Sequence, residues 1–385
     1  MEDGRGSRLA EVAAVFGRLG WTAFGGPASH VALMEREVVR RRHWLDAPRF
    51  GELFAACTLV PGPASTQLAL LIGKLRAGWA GMALAALLFI GPAVLCMLAL
   101  GELYLHLAGR RQIAAALLGV DAAVVAILVR AVLDLSRLGL RRRQSALIGA
   151  AGCAASLLGA SPIPILAAAA GAGVLLLEPT ALTRALGTAG APRGRVRGLL
   201  LAAAAPSGGA GTLLPLAVAF LKIGALAVGS GYVLLPLLHA ELVGGRFGLT
   251  DHQIADAFGV AQATPGPVFA TAAFLGVQVA GIPGGVVAAL AVFAPSAVYV
   301  QVAGAVAAAV RSRPAARAAL HGVLAAAIGL IAAAAVTLAR TALDGAAEVV
   351  GAALALLLLL VRPTAQPVAI LTGAAAGLAS TLLAP

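Results

Sequence analysis

The sequence predicts an all-α, polytopic membrane protein of about 10–12 membrane helices in two inverted repeats, each with a proline/glycine-broken re-entrant hairpin. Three observations carry this. Long apolar runs follow one another with few charges. The triplet Pro-Gly-Pro occurs twice in matching surroundings, "VPGPASTQ" at 60–67 and "TPGPVFAT" at 264–271. Basic loops in one half face poorly basic loops in the other.

The apolar runs come first. The chain is 61% hydrophobic and 11% charged, far below the roughly 25% charged residues of soluble domains. One run covers Trp79 to Leu107 with Glu102 as its single charge. Others cover 113–133, 146–177 in two pieces, 213–238, 254–280, 286–310, 318–338, 346–361 and 367–383. Many approach the ~20 residues that cross a bilayer. The start, "MEDGRGSRLAEVAAVFGRLGW", is acidic and is broken by Arg18. It does not read as a signal peptide, so the first internal helices are expected to direct insertion.

The net charge of +12 does not imply nucleic acid. The arginines gather in short loops, at 40–42, 141–143, 193–197 and 311–317, as cytoplasmic loops do. Aromatic residues are too scarce for base stacking. The lipid bilayer is the partner this pattern implies. Cys57, Cys96 and Cys153 lie in apolar segments with no CxxC spacing. They read as helix packing, with no metal and no cofactor expected.

Pro265 lies 204 residues beyond Pro61 (265 − 61). Sliding the chain by that number without gaps pairs Gly20 with Gly224, Gly25 with Gly229, Glu37 with Glu241, Phe54 with Phe258 and Phe89 with Phe293. The chain therefore reads as residues 1–190 and 205–385, joined by a Gly/Pro/Arg-rich linker at about 183–204.

Charge decides the orientation of the repeats. Loop 36–49 carries five arginines, whereas its counterpart 240–253 keeps Arg246 and adds Glu241 and Asp251. The loop at 110–111 is short, and its counterpart at 311–317 carries three arginines. Equivalent loops thus belong on opposite faces. Residues 50–73 then enter and leave on one side. Segments 78–108 and 112–136 cross, 144–158 and 162–177 return to the basic linker, and the C-terminus ends outside. Whether 9–27 crosses is open.

A proline inside a helix costs ~3 kcal/mol, and irregular backbone at membrane depth survives only beside protein or a water-filled cavity. A use for the break is therefore sought. Pro61, Gly62 and Pro63 would end one helix and start another, leaving the N–H groups of Ala64, Ser65 and Thr66 free. A helix start of this kind attracts anions. Ser65, Thr66 and Gln67 add side-chain donors. Pro265, Gly266 and Pro267 would aim a second start from the other side, with Thr264 and Thr271 nearby. The competing reading is a packing kink.

"WTAFGGPASH" (21–30) and "LAVGSGYVLL" (226–235) hold equivalent places. Gly25, Gly26, Pro27, Gly229, Ser230, Gly231 and Tyr232 either line a path or permit close helix contact. Lys222, equivalent to Arg18, is a further anion-binding candidate or a snorkelling cation. Asp121 is the proton-coupling candidate, and Arg130 a partner for it. His30 and Glu35 border the basic loop and read as interfacial.

"FGGPASHVALMEREVVRRRHWL" (24–45) with "LVPGPASTQLALLIGKLRAGWAG" (59–81) resembles the first-half signature of the chromate ion transporter family. "VGSGYVLLPLLHAELV" (228–243) with "ATPGPVFATAAFLGVQVAGIPGG" (263–285) resembles its second half. The resemblance covers nearly the whole chain. It implies an inner-membrane permease that exports chromate, with coupling to the proton gradient. By position it points to Phe24, Gly25, Gly26, Pro27 and both PGP triplets. Ala64 departs from the asparagine that many members carry there.

A sulfate or other tetrahedral-oxyanion permease would use the same site. A membrane-embedded enzyme would need a nucleophile–base pair or metal ligands, and no such catalytic set is legible. The sequence leaves a homodimer open. The charge swap makes one direct prediction. In intact cells, a cysteine replacing Arg41 should be shielded from a membrane-impermeant thiol reagent, while one replacing Arg246 should be labelled. Labelling of both from one side would contradict inversion.

Overall fold

The computed structural model describes residues 2–178, 211–228 and 231–383. Among them the chain forms fourteen α-helices and no β-sheet. The first half contributes α1 (Glu2–Thr22), α2 (Gly26–Glu35), α3 (Ala47–Thr58), α4 (Ala64–Leu107), α5 (Arg111–Gly139), α6 (Arg143–Leu157) and α7 (Pro162–Leu177). The second contributes α8 (Leu213–Leu226), α9 (Leu234–Leu242), α10 (Asp251–Ala263), α11 (Thr271–Ser312), α12 (Pro314–Ala342), α13 (Ala346–Val361) and α14 (Gln366–Leu383). Each helix of α1–α7 has its counterpart, in order, in α8–α14. The linker expected at 183–204 lies outside the described residues.

Local chemistry sets the helix starts. Asp46 caps α3 by accepting from the Arg49 N–H at 2.7 Å. Thr250 and Gln253 form a capping box at α10. Prolines occupy the first turns of α3, α7 and α12.

Four helices are long and apolar enough to cross a bilayer: α4, α5, α11 with its preceding turn, and α12. Two of them are less simple than their length implies. Ala77 and Gly78 leave helical conformation inside α4, with Gly78 at φ 66°, and Ala280 and Gly281 do the same inside α11. A Cβ on Gly73 would sit 2.6 Å from that of Ala85, and one on Gly276 2.8 Å from that of Ala288. The chain therefore folds back at each kink. A half-helix of roughly 20 Å, too short for the ~30 Å hydrocarbon core, precedes each crossing helix.

The repeat register shifts here. It is 204 at the PGP breaks but 203 between the fold-back glycines (276 − 73). The gapless alignment is thus corrected by one residue beyond the break. The cause is the 3₁₀ turn Val268–Ala270 that opens the second half-helix. At about 2.0 Å rise per residue it covers the same depth with one residue fewer.

Contacts also fix where α1 ends. Glu11 holds Arg76 (Oε2–Nη2 2.5 Å) near the basic face. Ala23, just past the helix, lies against Gly266 at the molecular centre. The segment 9–27 thus stops at mid-depth and turns back through α2. Arg42 and Arg76 stack on Trp44 at 5.7 and 5.1 Å, and Lys74 lies 4.4 Å from the Trp79 ring. They form a cationic and aromatic belt on that face. Arg141 and Arg142 share a pocket with Arg317, so these basic loops gather together. On the same half as the Trp44 belt, Glu37 is buried among Arg18, Arg41 and Arg42. Burial pushes its carboxyl up, but hydrogen bonds from Arg41 and Arg18 outweigh that and hold it below the usual carboxylate range.

The halves exchange their C-terminal hairpins. α6 and α7 pack on α12, while α13 and α14 pack on α5. Glycines meet backbone at these seams: Gly119 with Gly373, Gly149 with Gly329, Gly173 with Gly322. One feature breaks the symmetry. α10 packs closely on α5, α12 and α14, whereas its counterpart α3 packs on α4 and α11 and makes no comparable contact with α12. Accordingly, α1–α3 and the start of α4 form a separate apolar core, and α9 and α10 join the core shared by both halves.

A Cβ on Gly373 would approach that of Ala123 to 2.8 Å and strike the Gly119 backbone. Gly373→Val should therefore destabilise the purified protein by about 1–3 kcal/mol, read as a lower melting temperature in detergent.

Candidate functional site: four helix breaks at one centre

Four interruptions meet at the centre: Ala23–Gly25 between α1 and α2, Leu59–Pro63 between α3 and α4, Ala227–Val228 at the end of α8, and Thr264–Pro267 after α10. They are tied pairwise across the halves. The Gly62 N–H donates to the Ala227 carbonyl at 2.6 Å, and the Gly266 N–H donates to the Ala23 carbonyl at 2.8 Å. These bonds are equivalent under the 204-residue register. Gly62 and Gly266 both hold φ in the left-handed region, at 110° and 92°. Pro27 lies against Gly231, so the two glycine stretches face each other.

The start of α4 carries unpaired hydrogen-bond donors. Pro63 caps it without a side-chain bond, and the first intrahelical donor is the Gln67 N–H, to the Pro63 carbonyl at 3.0 Å. The N–H groups of Ala64, Ser65 and Thr66 have no acceptor among the described groups. Around them lie buried polar atoms without partners: Thr66 Oγ1, Gln67 Oε1 and, beside Gly62, Ser296 Oγ. Leaving such groups unpaired costs about 1–3 kcal/mol each, a deficit that a bound oxyanion or water would offset.

The side chains divide unequally. Gln67 gives its amide N–H to the Pro61 carbonyl, so it does not serve as the expected donor. Ser65 Oγ lies 3.4 Å from His30 Nδ1, and His30 Nε2 lies 3.1 Å from the Ala23 carbonyl. The carbonyl requires the proton on Nε2, leaving Nδ1 of a neutral ring to accept from Ser65. Thr66 is therefore the freest hydroxyl. His30, expected at the interface, is 1% exposed and at the centre. The reversal at Gly25–Gly26 folds α2 back along α4 and carries it there.

The second start is weaker. Its 3₁₀ turn uses the Ala270 N–H on the Pro267 carbonyl at 2.9 Å, leaving Val268 and Phe269. Thr271 Oγ1 donates to the Val268 carbonyl at 2.6 Å, and Thr264 Oγ1 to the Ala261 carbonyl at 3.2 Å. Gln262, buried next to this break, has both side-chain polar atoms unpaired.

Other expected residues lie elsewhere or outside the described residues. Gly229 and Ser230 fall outside them. Lys222 pairs with Glu241 at 2.5 Å, as Arg18 pairs with Glu37 in the other half. Its charge is thus directed to the loop rather than to the breaks. Arg130 bonds Asp134 at 2.8 Å instead of Asp121. Asp121 lies in a separate buried cluster. Among the described residues no group of three or more His, Cys, Asp or Glu could hold a metal ion.

Two site residues escaped sequence reading. Gln366 Nε2 donates to Tyr232 Oη at 2.5 Å, and a Cβ on Gly26 would lie 2.9 Å from Gln366 Oε1. Gln366 thus bridges the two glycine stretches. Ser296 sits in an apolar run beside Pro295. A polar residue next to a proline at membrane depth was the available signal.

Paired broken half-helices converging between two exchanged repeats are the architecture of a membrane transporter. The model of the chromate transporter family matches the chain twice, over residues 10–174 and 214–378. The chain belongs to the chromate transporter family. It is similar to the chromate transport protein of Cupriavidus metallidurans, 30% identical over 96% of this chain and 92% of that one. The chromate transport protein of Pseudomonas aeruginosa is 31% identical over 84% of this chain and 80% of its own. The probable chromate transport protein of Synechococcus elongatus is 30% identical over 74% and 73%. No solved structure matches the chain.

A Cβ at Gly62 would lie 2.6 Å from Gln67 Nε2 and 3.1 Å from Ser296 Oγ, on a residue whose φ disfavours side chains. Gly62→Leu should insert normally yet abolish chromate transport in vesicles. Full transport would reduce the break to a packing kink.

Proposed function

We propose that the protein carries chromate out of the cell across the bacterial plasma (inner) membrane in exchange for protons, binding the oxyanion where the four breaks meet. The observation that carries this reading is the set of unpaired donors at the α4 start: three backbone N–H groups beside the Thr66 and Ser296 hydroxyls. A helix start of this kind favours a compact anion. The basic face is taken as cytoplasmic. That orientation puts the C-terminus outside. Residues 1–190 and 205–385 are the two repeat units.

Backbone amides and hydroxyls do not distinguish one tetrahedral dianion from another by identity. Sulfate shares the charge and shape of chromate and is more strongly hydrated, so it should enter the same site at a greater dehydration cost. We expect sulfate to inhibit chromate transport in everted vesicles, with nitrate and chloride at equal concentration ineffective. Thr66→Ala should weaken chromate binding by about 1–3 kcal/mol, and Ser65→Ala by less because its hydroxyl is turned to His30. Unchanged affinity in the double variant would move the site away from the first break.

A further inference from the structure

The buried cluster around Asp121 is not absorbed by the anion site. Asp121 on α5 and Asp256 on α10 are 1% and 3% exposed. Each carboxyl group acts directly on the other, and the helices that carry them pack together. Asp121 Oδ2 also meets His252 Nδ1 at 2.7 Å, and Asp256 Oδ2 accepts from Tyr104 Oη at 2.8 Å. Among the described residues neither Oδ1 has a hydrogen-bond partner. A carboxylate only accepts, so two carboxyl groups bond to each other only with a proton between them. Without it, two neighbouring buried anions would repel each other strongly.

The pair's place in the fold gives that proton a consequence. It joins α10 to α5, across the interface that is closed on the face opposite the basic one. The equivalent interface, α3 with α12, is not formed. There, Glu52 (256 − 204) is exposed and paired with Arg49 at 2.9 Å. The residue matching Asp121 under the 203-residue register is Leu324. The charge pair is thus found where this interface is closed and is missing where its counterpart is open. Among the described residues His252 is the only basic group that acts on the pair. Asp251 faces His252 and is itself held by His239 at 2.5 Å, Tyr104 comes from α4, and no group of α12 or α14 interacts with the pair.

We infer that Asp121 and Asp256 form a proton-operated latch: the shared proton docks α10 on α5, closing the far face while α3 stands free on the basic face. Loss of the proton leaves two facing carboxylates, which drive α10 off α5 and open the far face. A proton taken up there recloses the latch and is given up toward the basic side, so one proton moves inward per cycle as a dianion moves outward. This assignment rests on the reading of the protein as a chromate exporter exchanging with protons.

Proteoliposomes of the wild type, Asp256→Asn, Asp256→Ala and Asp121→Ala test it, with radiolabelled chromate. Exchange without a gradient and accumulation driven by a pH gradient are both measured. Asparagine donates permanently where the proton stood, so Asp256→Asn should hold the latch shut and slow exchange about tenfold. Alanine removes the latch, so both alanine variants should exchange near the wild-type rate but lose about tenfold of the pH-driven accumulation, within the usual range of coupling between sites. Surviving pH-driven accumulation in either alanine variant overturns the latch, as does equal exchange in Asp256→Asn and Asp256→Ala. A wild type that exchanges no chromate would sink the transport reading itself. A wild type that exchanges it without responding to the pH gradient would sink proton coupling and leave the substrate standing.

Discussion

A helix interrupted inside a bilayer leaves amides and carbonyls that lipid cannot satisfy. Here the satisfaction is mutual. The Gly62 N–H finds the Ala227 carbonyl and the Gly266 N–H finds the Ala23 carbonyl, so each half supplies what the other half's break lacks. Neither half could keep its break alone at this depth without water. The same two bonds set the spacing of the half-helices. They leave the first-turn amides of α4 as the unspent donors. Fold and site therefore depend on one constraint, that broken backbone must be paired across the repeats.

The pairing is symmetric, but its chemistry is not. The first break keeps three free N–H groups and an unpaired threonine hydroxyl, while the second spends its threonines on its own main chain. The ion pairs Arg18–Glu37 and Lys222–Glu241 are duplicated faithfully and serve the loops. The buried carboxyl pair takes one member from each half, Asp121 and Asp256, and has no symmetric counterpart at Glu52 and Leu324. Features that hold the frame recur, and the polar features that differ between halves are those to which function is assigned. A two-sided carrier needs this division: the frame must tolerate exchange of its two arrangements, while a directional cycle needs unequal halves.

Much of this was legible because prolines and glycines act locally. The two PGP breaks, the crossing segments near 78–108 and 112–136, and the short pair near 144–158 and 162–177 follow from apolar length and punctuation, and the helices lie within a few residues of them. The end of α1 was not legible, because a half-span and a full span have similar composition. His30 was misplaced because it neighbours arginines in sequence but is turned inward by the Gly25–Gly26 reversal. Ser296 is a single polar residue in an apolar run, and Gln366 and Asp256 lie in mixed polar segments near helix starts, with their partners Tyr232 and Tyr104 far along the chain. The one-residue register shift arises from a change of helix type, which pattern matching does not see.

The central claim, that the oxyanion rests on the free amides of α4, is tested most directly by the anomalous scattering of chromium. Crystals of the protein grown with chromate should show a chromium peak within hydrogen-bonding reach of the Ala64, Ser65 and Thr66 N–H groups, close to Ser296. A peak instead beside Lys222, or in the arginine pocket of Arg141, Arg142 and Arg317, with none at the break, would contradict the account.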